Sequence, residues 1–102
     1  RYSLVKTDVL TKTGQAYQQI GQSEKAKSTL QLAAQASSGI QGNQIIAKAQ
    51  VQLAEAWIAA KQFPEATTAL NRAVEQTVKA KQDAYFHRET LSKIVTLYVQ
   101  AE

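Results

Sequence analysis

The sequence contains no cysteine, no methionine, one proline and only four glycines among 102 residues. The lack of cysteine excludes disulfides and thiolate zinc sites, although it leaves the redox compartment open. No apolar run approaches the roughly 18 residues that span a bilayer, and the first residues lack the apolar block of a signal peptide. We therefore expect a soluble domain without membrane insertion, and we favour the cytoplasm although no signal names a compartment.

Neither positive nor negative charge is concentrated in one part of the sequence. Twelve Lys and Arg residues outnumber eight Asp and Glu residues, which gives a net charge of +4. The basic residues are spread along the chain and alternate with acidic ones, whereas nucleic-acid binding usually needs a basic patch or stripe. We therefore expect a mixed solvated surface and no nucleic-acid partner.

Ala, Gln, Leu and Lys dominate the sequence, and this composition favours helices. Ser3, Asn43 and Asp83 are spaced by 40 residues, and each precedes an apolar helical pattern, as an N-cap does. Gly21 and Pro64 fall near turns between these helices. Glycine readily adopts the left-handed conformation that ends a helix, and proline is favoured at the first position of the next helix. The pattern predicts an all-α domain of five antiparallel helices, at about 3–20, 23–38, 43–61, 64–81 and 83–101.

An internal repeat underlies this spacing. The stretch GQAYQQIGQSEKA, which begins at Gly14, has the same apolar pattern as AEAWIAAKQFPEA, which begins at Ala54. A period of this size is typical of stacked helical hairpins, each of which buries its apolar face against the next. The paired packing positions are Gly14 and Ala54, Tyr17 and Trp57, Ala26 and Ala66, Leu30 and Leu70, and Ala33 and Ala73.

These residues resemble the tetratricopeptide repeat, a helical hairpin with the pattern W-x2-L-G-x2-Y followed by A-x3-F. The first copy reads Leu10-x2-Thr13-Gly14-x2-Tyr17 and Ala26-x3-Leu30; the second reads Gln50-x2-Leu53-Ala54-x2-Trp57 and Ala66-x3-Leu70; a partial third reads Leu91-x2-Ile94-Val95-x2-Tyr98. The period is 40 residues, longer than the usual value of about 34. Thr13 and Gln50 stand where the family has large apolar residues. The longer period is similar to that of kinesin light chains and of some bacterial signalling and regulatory arms.

The resemblance implies repeats at 3–42 and 43–82 and a partial third repeat or capping helix at 83–102. Because the chain begins without methionine and ends within a helical pattern, we expect it to be a fragment of a longer protein. Such repeats act as non-enzymatic protein-interaction modules, and no cofactor is implied.

In the family, the first helix of each hairpin lines a concave face that binds a peptide or a partner helix. We place this face on the present chain by counting from Gly14, Ala54 and Val95. Family members that bind the carboxylate tails of chaperones have a cluster of basic residues on this face, and the present chain lacks it. The alternative for each residue is plain solvated surface. The residues concerned are Asp8, Thr11, Gln15, Gln18, Gln19, Lys48, Val51, Glu55, Ile58, Ala59, Glu89, Ser92, Thr96 and Val99.

No constellation in the sequence indicates catalysis. His87 is the only histidine and has no partners at metal-ligand spacing. The carboxylates are not accompanied by a nucleophile or by a glycine-rich phosphate loop. We therefore predict no enzyme activity and no metal site.

The predicted fifth helix is apolar around much of its circumference, through Leu91, Ile94, Val95, Tyr98 and Val99. One neighbouring helix does not cover so wide a surface. A second interpretation is therefore a structural or self-assembling arm that forms a homo-oligomer through this helix. A third is a sensor arm that binds a small ligand.

Overall fold

The computed structural model describes residues 2–80 and 84–102, and these residues form helices and connecting turns without any strand. The predicted all-α class is confirmed, and the helix ends agree with the prediction within two residues wherever they are described. The predicted ends at 81 and 83 lie outside the described residues. The helices are α1 (Tyr2–Gln19), α2 (Ser23–Ser37), α3 (Asn43–Ala59), α4 (Phe63–Lys79) and α5 (Ala84–Gln100).

The helices are arranged in two layers. α1 packs most extensively on α2, and α3 packs on α4, which gives two antiparallel hairpins. α1, α3 and α5 lie side by side, with α3 in the middle, while α2 and α4 both pack on α3. The Cα positions extend over 40 × 32 × 17 Å, and the short dimension matches two helix layers separated by about 8–10 Å.

Small residues bring the two helices of each hairpin together. Ala26 and Ala66, which are equivalent in the repeat, are fully buried, as are Ala33 and Ala73. Leu30 and Leu70, one turn from these alanines, are the large apolar residues of the same stripe and are also buried. The predicted packing stripe on the second helix of each hairpin is therefore confirmed.

Gly14 of α1 lies against the Leu30 side chain of α2. A Cβ atom added at this glycine would lie 2.6 Å from Cδ2 of Leu30, which is far closer than van der Waals contact allows. The equivalent Ala54 is fully buried in the second hairpin. In the first hairpin the Leu30 side chain thus occupies the space that a methyl group at position 14 would need, whereas the second hairpin accommodates the methyl group of Ala54.

The aromatic packing positions are not equivalent. Trp57 is 2% exposed and lies in the core. Tyr17 is only partly buried, and its ring lies 5.8 Å from the Lys25 ammonium. Tyr98 is also partly buried, at the edge of the core. Of these three aromatic residues, Trp57 alone is fully buried.

The two hairpin turns have the same hydrogen-bond pattern, 40 residues apart. Gly21 donates to the carbonyl of Gln18 and Gln22 donates to that of Tyr17, with Gly21 at φ 81°. The second turn repeats both bonds, from Lys61 to Ile58 and from Gln62 to Trp57, with Lys61 at φ 60°. This is the Schellman ending of a helix, which requires a left-handed residue at the first position after the cap.

The predicted N-caps are wrong by one position or more. α1 already includes Ser3, and α3 begins at Asn43, so neither side chain precedes its helix. The N-caps of α2, α3 and α4 are Gln22, Gly42 and Gln62, and none of them makes a side-chain capping bond. Asp83 lies outside the described residues. Pro64 does fall within the first two positions of α4, as predicted.

We predict that Lys61→Gly stabilises the protein by about 0.5–1 kcal/mol, because a side chain at positive φ is strained and glycine is not. Urea denaturation monitored by circular dichroism measures the change. The matched control is Gly21→Ala, which introduces the same strain into the first turn and should destabilise by about the same amount. A loss of stability in Lys61→Gly would contradict the prediction.

Candidate functional site

Two grooves lie along the layer formed by α1, α3 and α5. The first, of about 470 Å³, lies between α1 and α3 and is called the α1–α3 groove. The second, of about 230 Å³, lies between α3 and α5 and is called the α3–α5 groove. Lys48 and Gln52 line both of them, so the two grooves adjoin each other on either side of these exposed side chains of α3.

The structure brings five of the predicted binding residues into these grooves. Asp8, Thr11 and Lys48 line the α1–α3 groove. Lys48, Val51 and Glu89 line the α3–α5 groove. Residues predicted from three separate helices therefore lie along one surface, which depends on the side-by-side packing of α1, α3 and α5.

Thr11 and Val51 were predicted to contact a partner, but they are only 3% and 5% exposed. The Thr11 hydroxyl donates to the Thr7 carbonyl at 2.7 Å within α1. Val51 belongs to the core cluster. Both residues form the floor of a groove, and they offer little surface to a partner.

Glu55 and Ile58 are engaged within the protein. Glu55 forms an ion pair with Lys93 at 3.4 Å, which links α3 to α5 at a half-exposed position. Such pairs contribute about 1 kcal/mol or less. Ile58 is partly buried and packs against the core. These two residues therefore stabilise the layer, and neither lines a groove described above.

The amide residues near the end of α1 lie outside both grooves. Gln15 and Gln18 are partly buried, and Gln19 is exposed. Helical periodicity places Gln15 and Gln18 on the same side of α1 as Asp8 and Thr11, one to three turns further along. The predicted Ser92 is exposed on α5, as are Thr96 and Val99, and Ala59 is exposed at the end of α3.

Several groove residues were not predicted. Leu4, Val5, Ile45 and Ala49 give the α1–α3 groove its apolar lining. Gln52 lies between the two grooves. Leu4 precedes Asp8 by four positions, and Gln52 follows Lys48 by four. Both therefore lie one helical turn from a predicted residue, and extending the predicted face by one turn along each helix identifies them.

The charges along the two grooves are mixed. Asp8 pairs with Lys12 at 3.3 Å along α1. Lys48 is exposed on α3, and Glu89 is exposed on α5. A partner that is complementary to this surface carries charges of both signs, because neither sign dominates the grooves.

The described residues contain no group of His, Cys, Asp and Glu side chains suited to holding a metal ion. The His87 side chain is used structurally, because its Nε2–H donates to the carbonyl of Ala80, just after α4. Within residues 2–80 and 84–102, no helix has the length and apolar character needed to cross a membrane.

Comparison of the chain with models of known families, with curated proteins and with solved structures finds no match in any of the three. The geometry of the grooves and the repeat pattern are therefore the basis of the functional proposal.

Tyr98 links α5 to α4 at the edge of this layer. Its hydroxyl donates to Oδ1 of Asn71. Burial raises the pKa of Tyr98 above its ordinary value of 10.0, because the phenolate loses hydration in the folded protein. The neutral, hydrogen-bonding form is thus favoured by folding.

We predict that the Tyr98 hydroxyl stabilises the fold at pH 8 and that this contribution is lost as the pH rises above about 10. The unfolded chain releases the phenolic proton first, so the raised folded pKa lowers the free energy of unfolding in that range. Tyr98→Phe should cost about 0.5–1 kcal/mol at pH 8. Urea denaturation of both proteins at pH 8 and pH 11 measures the difference, which should shrink at the higher pH. A difference that is constant with pH would exclude this linkage.

Proposed function

We propose that the chain is a non-enzymatic protein-interaction module of the tetratricopeptide class. A peptide or a partner helix docks along the face formed by α1, α3 and α5. The observation that carries the proposal is that the α1–α3 and α3–α5 grooves adjoin at Lys48 and Gln52. Two adjoining grooves across three helices suit an elongated ligand, which contacts each helix in turn.

The lining of the grooves defines the chemistry of the partner. Leu4, Val5 and Ile45 form an apolar wall in the α1–α3 groove, where an apolar anchor side chain is desolvated. Lys48 lies beyond it, towards the α3–α5 groove and Glu89. The expected partner therefore has an apolar anchor, followed by an acidic group that faces Lys48 and a basic group that faces Glu89.

The repeat pattern supports the same class. Equivalent turns at Gly21 and Lys61 close the two hairpins. Equivalent alanines and leucines on α2 and α4 pack them. Such repetition builds an extended surface from small units, which is how repeat proteins form their binding faces.

We predict that exchanging two groove charges, in the variant Lys48→Glu with Glu89→Lys, weakens partner binding by about tenfold or more, because both charges then face groups of like sign. Affinity capture from native cells, with quantitative mass spectrometry, identifies the proteins held by the unaltered domain. Titration of the strongest of them against both proteins then measures the change in Kd.

The control variant is Glu75→Lys with Lys79→Glu. It exchanges two exposed charges on α4, outside both grooves, at the same net charge. It should retain the partner with unchanged affinity. Equal binding by the groove variant and the control would reject docking along the α1, α3 and α5 layer.

A second candidate function, self-assembly through α5, has its own observation. Ile94 and Leu97 are buried against the other helices, whereas Val95 and Val99 are 61% and 64% exposed. These two valines are four positions apart and therefore lie on one side of α5. Tyr85, which is 66% exposed, adds apolar surface near the start of the helix.

If α5 mediates assembly, we predict that the protein is an oligomer in solution and that Val95→Lys with Val99→Lys converts it into a folded monomer. Both side chains are exposed in the single chain, so the substitutions leave its core intact. Light scattering coupled to size-exclusion chromatography measures the mass, and circular dichroism verifies the helix content. A monomeric parent protein would eliminate this second candidate.

A further inference from the structure

The outer side of α5 carries a row of exposed side chains at heptad spacing. Its members are three and four positions apart in strict alternation, which is the spacing at which two helices interlock side by side. The row is called the α5 seam. It consists of Tyr85, Arg88, Ser92, Val95, Val99 and Glu102, and all six residues are exposed.

The seam runs along the whole of α5 and through the turn that follows it. In this turn the N–H of Ala101 donates to the carbonyl of Leu97. The N–H of Glu102 donates to the carbonyl of Val99, so the chain keeps its helical direction as far as the end of the seam. Ile94 and Leu97, on the opposite side of α5, are buried in the domain. The α5 seam is therefore a second face of the helix, which the rest of the described chain leaves uncovered.

The equivalent face of the two hairpins is buried, and its residues are smaller. Val95 occupies the repeat position of Gly14 and Ala54, which are both buried. Arg88 occupies the position of Ala47, which is fully buried. An arginine is covered at low cost only by a partner that supplies an anionic group. A partner of the α5 seam therefore differs from the second helix of a hairpin, because it has to accommodate a valine and neutralise an arginine.

The charges of the α5 seam lie at its two ends. Arg88 is near the start and Glu102 is at the end, about 21 Å further along the helix axis at 1.5 Å per residue. The ion pairs found among residues 2–80 and 84–102 involve neither of them. Two such helices attract each other when they run antiparallel, because each Arg88 then lies near the Glu102 end of the other helix. In a parallel pair, arginine opposes arginine and glutamate opposes glutamate.

We propose that the α5 seam binds a second copy of this chain, in a two-fold symmetric dimer whose α5 helices pack antiparallel and pair Arg88 of each copy with Glu102 of the other. The proposal rests on the second candidate function, self-assembly through α5, and specifies its partner and orientation. Complete overlap of the two seams places Ser92 beside Val95 of the second copy and Tyr85 beside Glu102 of the second copy. Because a two-fold axis repeats every contact, each dimer contains two of these charge pairs.

The test reverses the two seam charges separately and together. Arg88→Glu and Glu102→Lys each bring like charges together at both ends of the dimer, so each should weaken dimerisation by about tenfold or more. The double variant, Arg88→Glu with Glu102→Lys, has opposite charges across the interface again and should dimerise about as tightly as the parent. The two residues are too far apart to pair within one chain, so this recovery requires contact between copies.

Sedimentation velocity over a concentration series measures the dimer dissociation constant of each protein, and circular dichroism verifies its helix content. A seam with only two valines forms a small interface, so the series extends to about 1 mM. Two matched controls make the same charge changes at exposed positions of α4. Lys79→Glu matches Arg88→Glu, Glu75→Lys matches Glu102→Lys, and both controls should dimerise as the parent does.

The results distinguish the dimer proposed here from self-assembly in general. A parent protein that is monomeric at every concentration overturns both, and the α5 seam is then left to a helix of a different protein. A dimeric parent whose dissociation constant is unchanged by the single charge reversals overturns the antiparallel arrangement alone. A double variant as weak as the single variants also overturns this arrangement, because opposite charges then do not pair across the interface. None of these variants alters Lys48 or Glu89, so the groove-charge experiment is independent of them.

Discussion

The close crossing of the two helices in each hairpin is the interaction on which the rest of the structure depends. Ala26 and Ala66 allow the second helix of each hairpin to approach the first, and Leu30 and Leu70 fill the space beside them. Gly14 lets the Leu30 side chain lie directly on the backbone of α1, since a methyl group there would overlap it. Close packing of this kind fixes the distance between layers, so it also fixes the depth of the grooves.

The repeat in the sequence predicts most of this architecture. Spacing of 40 residues between small and apolar positions indicates the helices, the hairpins and the equivalent turns. The N-caps were misassigned because Ser and Asn are common both at N-caps and within first turns, so their spacing locates helix starts only approximately. Lys61 was harder to anticipate as a left-handed residue, because lysine rarely adopts this conformation and the turn alone imposes it.

The sequence predicts the lining of the grooves less completely than it predicts the fold. Helical spacing places Asp8, Lys48 and Glu89 on the side of the layer where the two grooves lie, since it depends only on periodicity and on the order of the hairpins. Burial is a different quantity, because it depends on how far neighbouring helices overlap. Thr11 and Val51 are covered for this reason. Gln50 is buried and donates a hydrogen bond to Ser37 in another helix, a contact that spacing within a single helix does not reveal.

The central position of α3 has a consequence for communication across the domain. This helix contacts each of the other four, and its residues line both grooves of the α1, α3 and α5 layer. A shift of α3 towards α1 therefore narrows the α1–α3 groove and widens the α3–α5 groove, so the two grooves do not change width independently.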